Sequence, residues 1–179
     1  MLLKEEITKE KAEEIFREHS PYIYRVALFL TSSSSLADDI TQETFMQVFR
    51  QYHKFDISRP IQPWIYKITL NTTRNMLRKQ SWLHYVEEVP EETNLAPVDT
   101  ELLESEEKAR LWNEINKLTL KDREVIVLHF YCGMKLKDTA YILGIPVGTG
   151  KSRLNHALRV LRSNLCEDDF MILNQGVYI

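Results

Sequence analysis

The chain has 179 residues, 44% of them hydrophobic and 27% charged, as in a soluble globular protein of one domain or two small ones. Its apolar runs reach only about five residues, far short of a membrane span, and residues 1–10 lack the apolar core of a secretory signal. Cys132 and Cys166 are too few for a disulfide framework and fit a reduced, cytoplasmic setting.

Five glycines and no alternating strand-like segments indicate an all-α protein. In chain order, helices are expected over 9–19 and 21–31, the second with Pro21 in its first turn. The TSSSS run then breaks the chain and offers Ser34 or Ser35 as an N-cap for a helix over 36–53. A loop with two prolines, DISRPIQP, precedes a helix over 63–80. Residues 81–105 are acidic, contain Pro90 and Pro97, and show no apolar period, the composition of a flexible linker. Helices resume over 105–117 and 121–132, with Thr119 as N-cap and Gly133 as the stop. A short helix over 136–143, a turn at Gly144 and a helix over 147–164 follow. The organisation is therefore two small helical domains, 1–80 and 106–165, joined by the acidic linker 81–105, with a tail over 166–179.

The net charge of −3 conceals a pattern. Residues 50–80 carry seven Lys/Arg against one acidic residue, and 121–163 carry eight against three. Between them, 81–107 hold nine acidic residues and no Lys or Arg. Two basic blocks in an otherwise acidic chain suggest two sites for a polyanion.

The stretch GIPVGTGKS, residues 144–152, invites comparison with a phosphate-binding loop. That motif needs four residues between its glycines, whereas Gly144 and Gly150 are separated by five, and the preceding KLKDTAYIL has helical spacing. On a helical wheel Val147, Gly150, Leu154, Leu158, Leu161 and Leu165 form a core stripe. Gly148, Ser152, Asn155, His156, Arg159 and Ser163 form a polar face able to bond base edges. Lys151, Arg153 and Arg162 flank it. A short helix, a Gly turn and a helix with a polar reading face make a helix-turn-helix.

Helix 63–80 repeats the theme. Lys67, Asn71, Arg74 and Arg78 share one stripe; Ile61, Ile65, Ile68, Thr72 and Met76 share the opposite one. Trp64, Tyr66, Tyr52 and Phe55 lie nearby, and basic groups among aromatics suit unstacked bases. On helix 36–53, Ile40, Thr44, Val48 and Tyr52 face one way. Asp39, Gln42, Glu43, Met46, Gln47 and Arg50 face the other, an acidic surface with an exposed Met that suits protein docking. His129 and Cys132 lie three apart, but no second pair completes a metal site, so a core cysteine is expected. No catalytic residue, metal or cofactor is expected, since no nucleophile or zincin motif occurs.

The segments LADDITQETFMQVFRQYHKFD and PWIYKITLNTTRNMLRK resemble region 2 of the extracytoplasmic-function (ECF) sigma factors of bacterial RNA polymerase. LTLKDREVIVLHFYCGMKLKDTAYILGIPVGTGKSRLNHALRVLR resembles their region 4. The resemblance implies a subunit that binds core polymerase, recognises promoters and helps to open them. It implies that Asp39, Gln42, Glu43 and Met46 dock on the clamp helices of the largest polymerase subunit. The loop over 55–62, including Phe55 and Arg59, would hold unstacked bases of the −10 element together with Asn71 and Arg74, while Lys67 and Arg78 grip phosphates. Ser152, Asn155 and His156 would read the −35 element. Lys135, Lys137, Lys151, Arg153 and Arg159 would contact its backbone. The resemblance also implies an anti-sigma partner, of a kind often membrane-bound.

Four positions depart from the family pattern. Gly150 stands where Val is usual, so packing is expected to be incomplete there and Val to be stabilising. Asn155 and His156 stand where an aromatic or His and an Arg are common. Lys135 replaces a capping Ser. A stand-alone helix-turn-helix regulator with an N-terminal sensor or dimerisation domain is the alternative, and the basic stripe on 63–80 argues against it.

Overall fold

In the computed structural model of the chain, residues 7–87, 106–166 and Leu173 are described. They form helices and connecting turns, with no strand among the described residues, in two units divided between Asn94 and Leu95.

The N-terminal unit packs three helices: α1 (Lys9–Thr31), α2 (Ser34–Gln51) and α3 (Ile61–Glu87). Thr8 caps α1 by accepting from the Lys11 amide at 3.2 Å. The two helices expected over 9–31 are one, with Pro21 inside it. Proline removes one backbone hydrogen bond and costs about 3 kcal/mol in a helix interior. Against that, Ile15, His19, Ile23, Val26 and Leu30 form one buried stripe running past the proline. Each fully buried aliphatic side chain contributes about 1.5–3 kcal/mol, so packing prevails over the break.

Ser32 takes a left-handed conformation at φ 56°, and Ser33 caps α2 by accepting from the Leu36 amide at 3.3 Å. The expected caps, Ser34 and Ser35, are already helical; Ser33 is the residue with the extended backbone a cap requires. Ala37, Ile40, Thr44, Phe45 and Val48 bury the inner face of α2. Its expected last turn tightens into a 3-10 turn, Tyr52–Lys54.

Helix α3 starts two residues before the expected position and continues through residues 81–87 of the expected linker. Pro63 sits in its first turn, where no intrahelical N–H is needed. Two of its buried threonines return their hydroxyls to the helix: Thr69 donates to the Ile65 carbonyl at 2.9 Å and Thr73 to that of Thr69 at 2.8 Å. The remainder of the expected linker lies outside the described residues.

The C-terminal unit comprises α4 (Glu106–Lys117), α5 (Leu120–Ile126), α6 (Leu136–Leu143) and α7 (Val147–Asn164). Leu111, Trp112, Ile115, Val125, Leu128, Ile142, Leu154, Ala157 and Leu161 supply the core. Arg123 closes α4 by donating to the carbonyls of Asn116 and Leu118; burial pushes its guanidinium pKa down. Thr119 caps α5 as expected. The end of the helix expected over 121–132 widens into a π-turn, Val127–Tyr131, and Gly133 follows at φ 63°. Of the expected tail, Cys166 and Leu173 are described; Cys166 is exposed and Leu173 is fully buried. No described helix is long and apolar enough to cross a membrane.

Candidate nucleic-acid and protein interfaces

The helix-turn-helix is built by local chemistry. Gly144 ends α6 in the left-handed conformation at φ 69°, which costs a residue without Cβ nothing. Its amide and that of Ile145 return to the last carbonyls of α6, Ile145 to Ala140 at 3.0 Å. Pro146 then sets the extended entry to α7 at ψ 146°. Lys135, at the cap of α6, makes no side-chain cap bond, as its substitution for Ser implied.

Gly150, Leu154, Ala157 and Leu161 face the core, while Leu158 and Leu165 are half-buried. Val147 was expected in this stripe but is 48% exposed, because it stands in the first turn, ahead of the contact between Gly150 and α6. Gly150 leaves room for a single methyl. A Cβ there would meet Ala140 Cβ at 3.4 Å and Leu136 Cδ1 at 3.6 Å, so α6 closes the space beyond that one carbon.

On the opposite face Ser152, Asn155, His156 and Arg159 are all exposed. The Ser152 hydroxyl donates to the Thr149 carbonyl at 3.0 Å, leaving its lone pairs outward. Lys135, Lys137 and Lys151 are exposed and Arg153 is half-buried. Together with Arg159, these cations form no ion pair with a described residue. Such a surface offers donors to base edges in its middle and positive charge for phosphates around them.

On α3, Lys67, Asn71 and Arg78 are exposed and Arg74 is half-buried, opposite the buried Ile65, Ile68 and Thr72. Arg78 donates to Asn75 Oδ1 at 3.0 Å. Before α3, Phe55 packs on Trp64 with ring centroids 5.0 Å apart and on Tyr52 at 6.0 Å. Tyr66, by contrast, is a core residue beside Tyr22. Asp56 organises the loop by accepting from the Ser58 hydroxyl at 2.6 Å and the Ser58 amide at 3.1 Å. Those two bonds, then the Arg59 guanidinium 3.1 Å away, hold its carboxyl below the usual carboxylate range. Arg59 is thereby tethered but exposed, and Ile57 projects into solvent, 77% exposed.

On α2, Asp39, Gln42 and Met46 are exposed, and Glu43 is half-buried, accepting from Gln47 Nε2 at 2.9 Å. The face is acidic with an apolar centre, Met46, which is 54% exposed.

One expectation is corrected in detail. Cys132 is half-buried rather than core. His129 instead places Nδ1 2.7 Å from the Met134 carbonyl, bracing the turn after α5. Sequence reasoning also missed Asp122, whose carboxylate meets His156 on the reading face. Its spacing after Thr119 marks a helix cap, but a partner 34 positions away leaves no local trace.

Comparison with known proteins places both units. The Sigma-70 region 2 family matches residues 15–83, and the Sigma-70, region 4 family matches residues 108–161. The ECF RNA polymerase sigma factor SigW of Bacillus subtilis is 31% identical over 155 residues, covering 80% of this chain and 82% of SigW. The ECF RNA polymerase sigma factor SigE of Mycolicibacterium smegmatis is 28% identical over 160 residues, 87% of this chain, and the match spans 62% of SigE. In fold, the chain resembles the sigma factor RpoE of Bartonella quintana, solved with the anti-sigma factor NepR. The TM-score is 0.70 at 22% identity, covering 87% of this chain and 96% of RpoE. The region 2 match occupies the part of the chain that the regulator alternative assigned to a sensor domain.

Proposed function

Because this chain belongs to the ECF sigma factors of the sigma-70 family, the subunits that direct RNA polymerase to promoters, we propose a division of labour among its exposed faces. The α2 face, Asp39, Gln42, Glu43 and Met46, docks on the clamp helices of core polymerase. The loop of Phe55 and Arg59, with Asn71 and Arg74, holds unpaired bases of the −10 element, and Lys67 and Arg78 grip its backbone. In the C-terminal unit, Ser152, Asn155 and His156 read the −35 element. Lys135, Lys137, Lys151, Arg153 and Arg159 hold it by its phosphates. The chain supplies binding rather than chemistry and works in the cytoplasm, where polymerase is.

The observation that carries this reading is the wholly exposed polar face of α7 behind the Gly144 turn. A helix fits the major groove, where every base pair presents a distinct donor and acceptor pattern. An anti-sigma protein is the natural inhibitor; it would cover the α2 and α7 faces and could be tethered to a membrane.

Binding of labelled promoter duplex tests the reading. The chain alone is expected to shift duplex weakly, and core polymerase with the chain strongly and in a sequence-selective way. Equal, selective binding without polymerase would favour a stand-alone regulator.

A further inference from the structure

The reading face of α7 contains one side chain fixed from outside its own helix. His156 Nδ1 lies 3.0 Å from Asp122 Oδ2 on α5. The Asp122 side chain is 9% exposed, while that of His156 is 55% exposed. The same carboxylate oxygen accepts from the Thr119 hydroxyl at 2.8 Å, and the Asp122 amide donates to Thr119 Oγ1 at 3.3 Å. Asp122 is therefore anchored twice to the cap of α5 before it meets the histidine. No other hydrogen bond involves the His156 ring among the described residues, so Nε2 is left for a partner.

Chemistry fixes the direction of this contact. An ionised carboxylate only accepts hydrogen bonds, so Nδ1 carries the hydrogen and donates to Asp122. This orients the imidazole and assigns Nε2 as the atom facing out, in the way a carboxylate orients a metal-binding or catalytic histidine. A freely rotating side chain would present either nitrogen and pay for ordering on binding; a clamped ring presents one polar atom at one place.

Resting on the assignment of α7 as the −35 reading helix, we propose that Asp122 is a positioning residue for promoter specificity. It holds His156 so that Nε2 reads a single base pair of the −35 element. Asp122 and His156 act as one reading unit across two helices, and base preference at that pair depends on a residue that never touches DNA.

The test uses core polymerase with the full chain and a promoter library randomised through the −35 element, with bound sequences counted for each variant. His156→Ala is expected to reduce the preference at one base pair on the order of tenfold, leaving the other positions intact. Asp122→Ala should relax the same base pair to a similar extent. Asp122→Asn, which keeps an acceptor for Nδ1–H, should retain most of the preference. In the Asp122→Ala, His156→Ala double variant no further relaxation is expected. Thermal unfolding of each full-length variant accompanies the selection. The proposal is overturned if Asp122→Ala keeps the preference that His156→Ala loses. It is overturned equally if Asp122→Ala weakens all positions alike in step with a lowered melting temperature, or if Asp122→Asn behaves as Asp122→Ala. Failure of the native chain to enrich any −35 sequence would instead overturn the sigma assignment of α7, and the proposal with it.

Discussion

Gly150 is the position where sequence and structure lead to different substitutions. The family pattern suggests Val. The geometry suggests Ala and no more. A Cβ at 150 meets Ala140 Cβ at 3.4 Å and Leu136 Cδ1 at 3.6 Å, ordinary van der Waals contact, so one methyl fits. Replacing a helical Gly by Ala gains about 1 kcal/mol of helix propensity, and burying the methyl adds up to about 0.8 kcal/mol. Val would place two further carbons beyond that contact with a nearly fixed χ1, and overpacking of this kind costs about 1–3 kcal/mol. Gly150→Ala is thus expected to stabilise the C-terminal unit by about 1–2 kcal/mol, each kcal/mol raising the melting temperature by about 4–8 °C for a domain of this size. Gly150→Val is expected to fall below Ala and to gain little or nothing over Gly. Trp112, 4% exposed, reports on this unit alone once Trp64 and Trp82 are changed to Phe in the full chain. Thermal unfolding followed by its emission gives the two shifts. An Ala variant no more stable than the native chain, or a Val variant more stable than Ala, would refute the packing argument.

Three further substitutions separate the faces. Asp39→Lys reverses a charge on the α2 face and should weaken binding to core polymerase by about tenfold or more, about 1.4 kcal/mol, in a fluorescence titration. Arg74→Ala should leave that affinity intact while slowing promoter opening, read by permanganate reactivity of thymines in the −10 element. Lys151→Ala should weaken holoenzyme binding to all −35 sequences alike and lower the slope of log affinity against log salt by about 0.9.

Much of the C-terminal unit was legible because its signals are local. Gly144 needs a positive φ, apolar residues recur at helical spacing on both sides of it, and α6 and α7 begin and end where that spacing says. The N-terminal unit shows where such signals fail. Pro21 reads as a helix start, yet a buried stripe from Ile15 to Leu30 carries one helix past it, and only tertiary packing reveals the stripe's weight. Among four serines in a row, the cap is chosen by the left-handed turn at Ser32, not by side-chain chemistry. The site was legible as faces rather than contacts. The stripes Lys67, Asn71, Arg74, Arg78 and Ser152, Asn155, His156, Arg159 follow from periodicity. The stacking of Phe55 on Trp64 and the clasp of Asp122 on His156 depend on how elements approach each other, and no spacing rule encodes that.

This chain chooses where polymerase starts. Mapping the 5′ ends of transcripts made in vitro by purified core polymerase on bacterial genomic DNA, with and without the chain, tests it directly. A discrete set of new start sites is expected, preceded by shared −35 and −10 sequences and lost together with Asp39→Lys. The same starts with and without the chain would contradict the account.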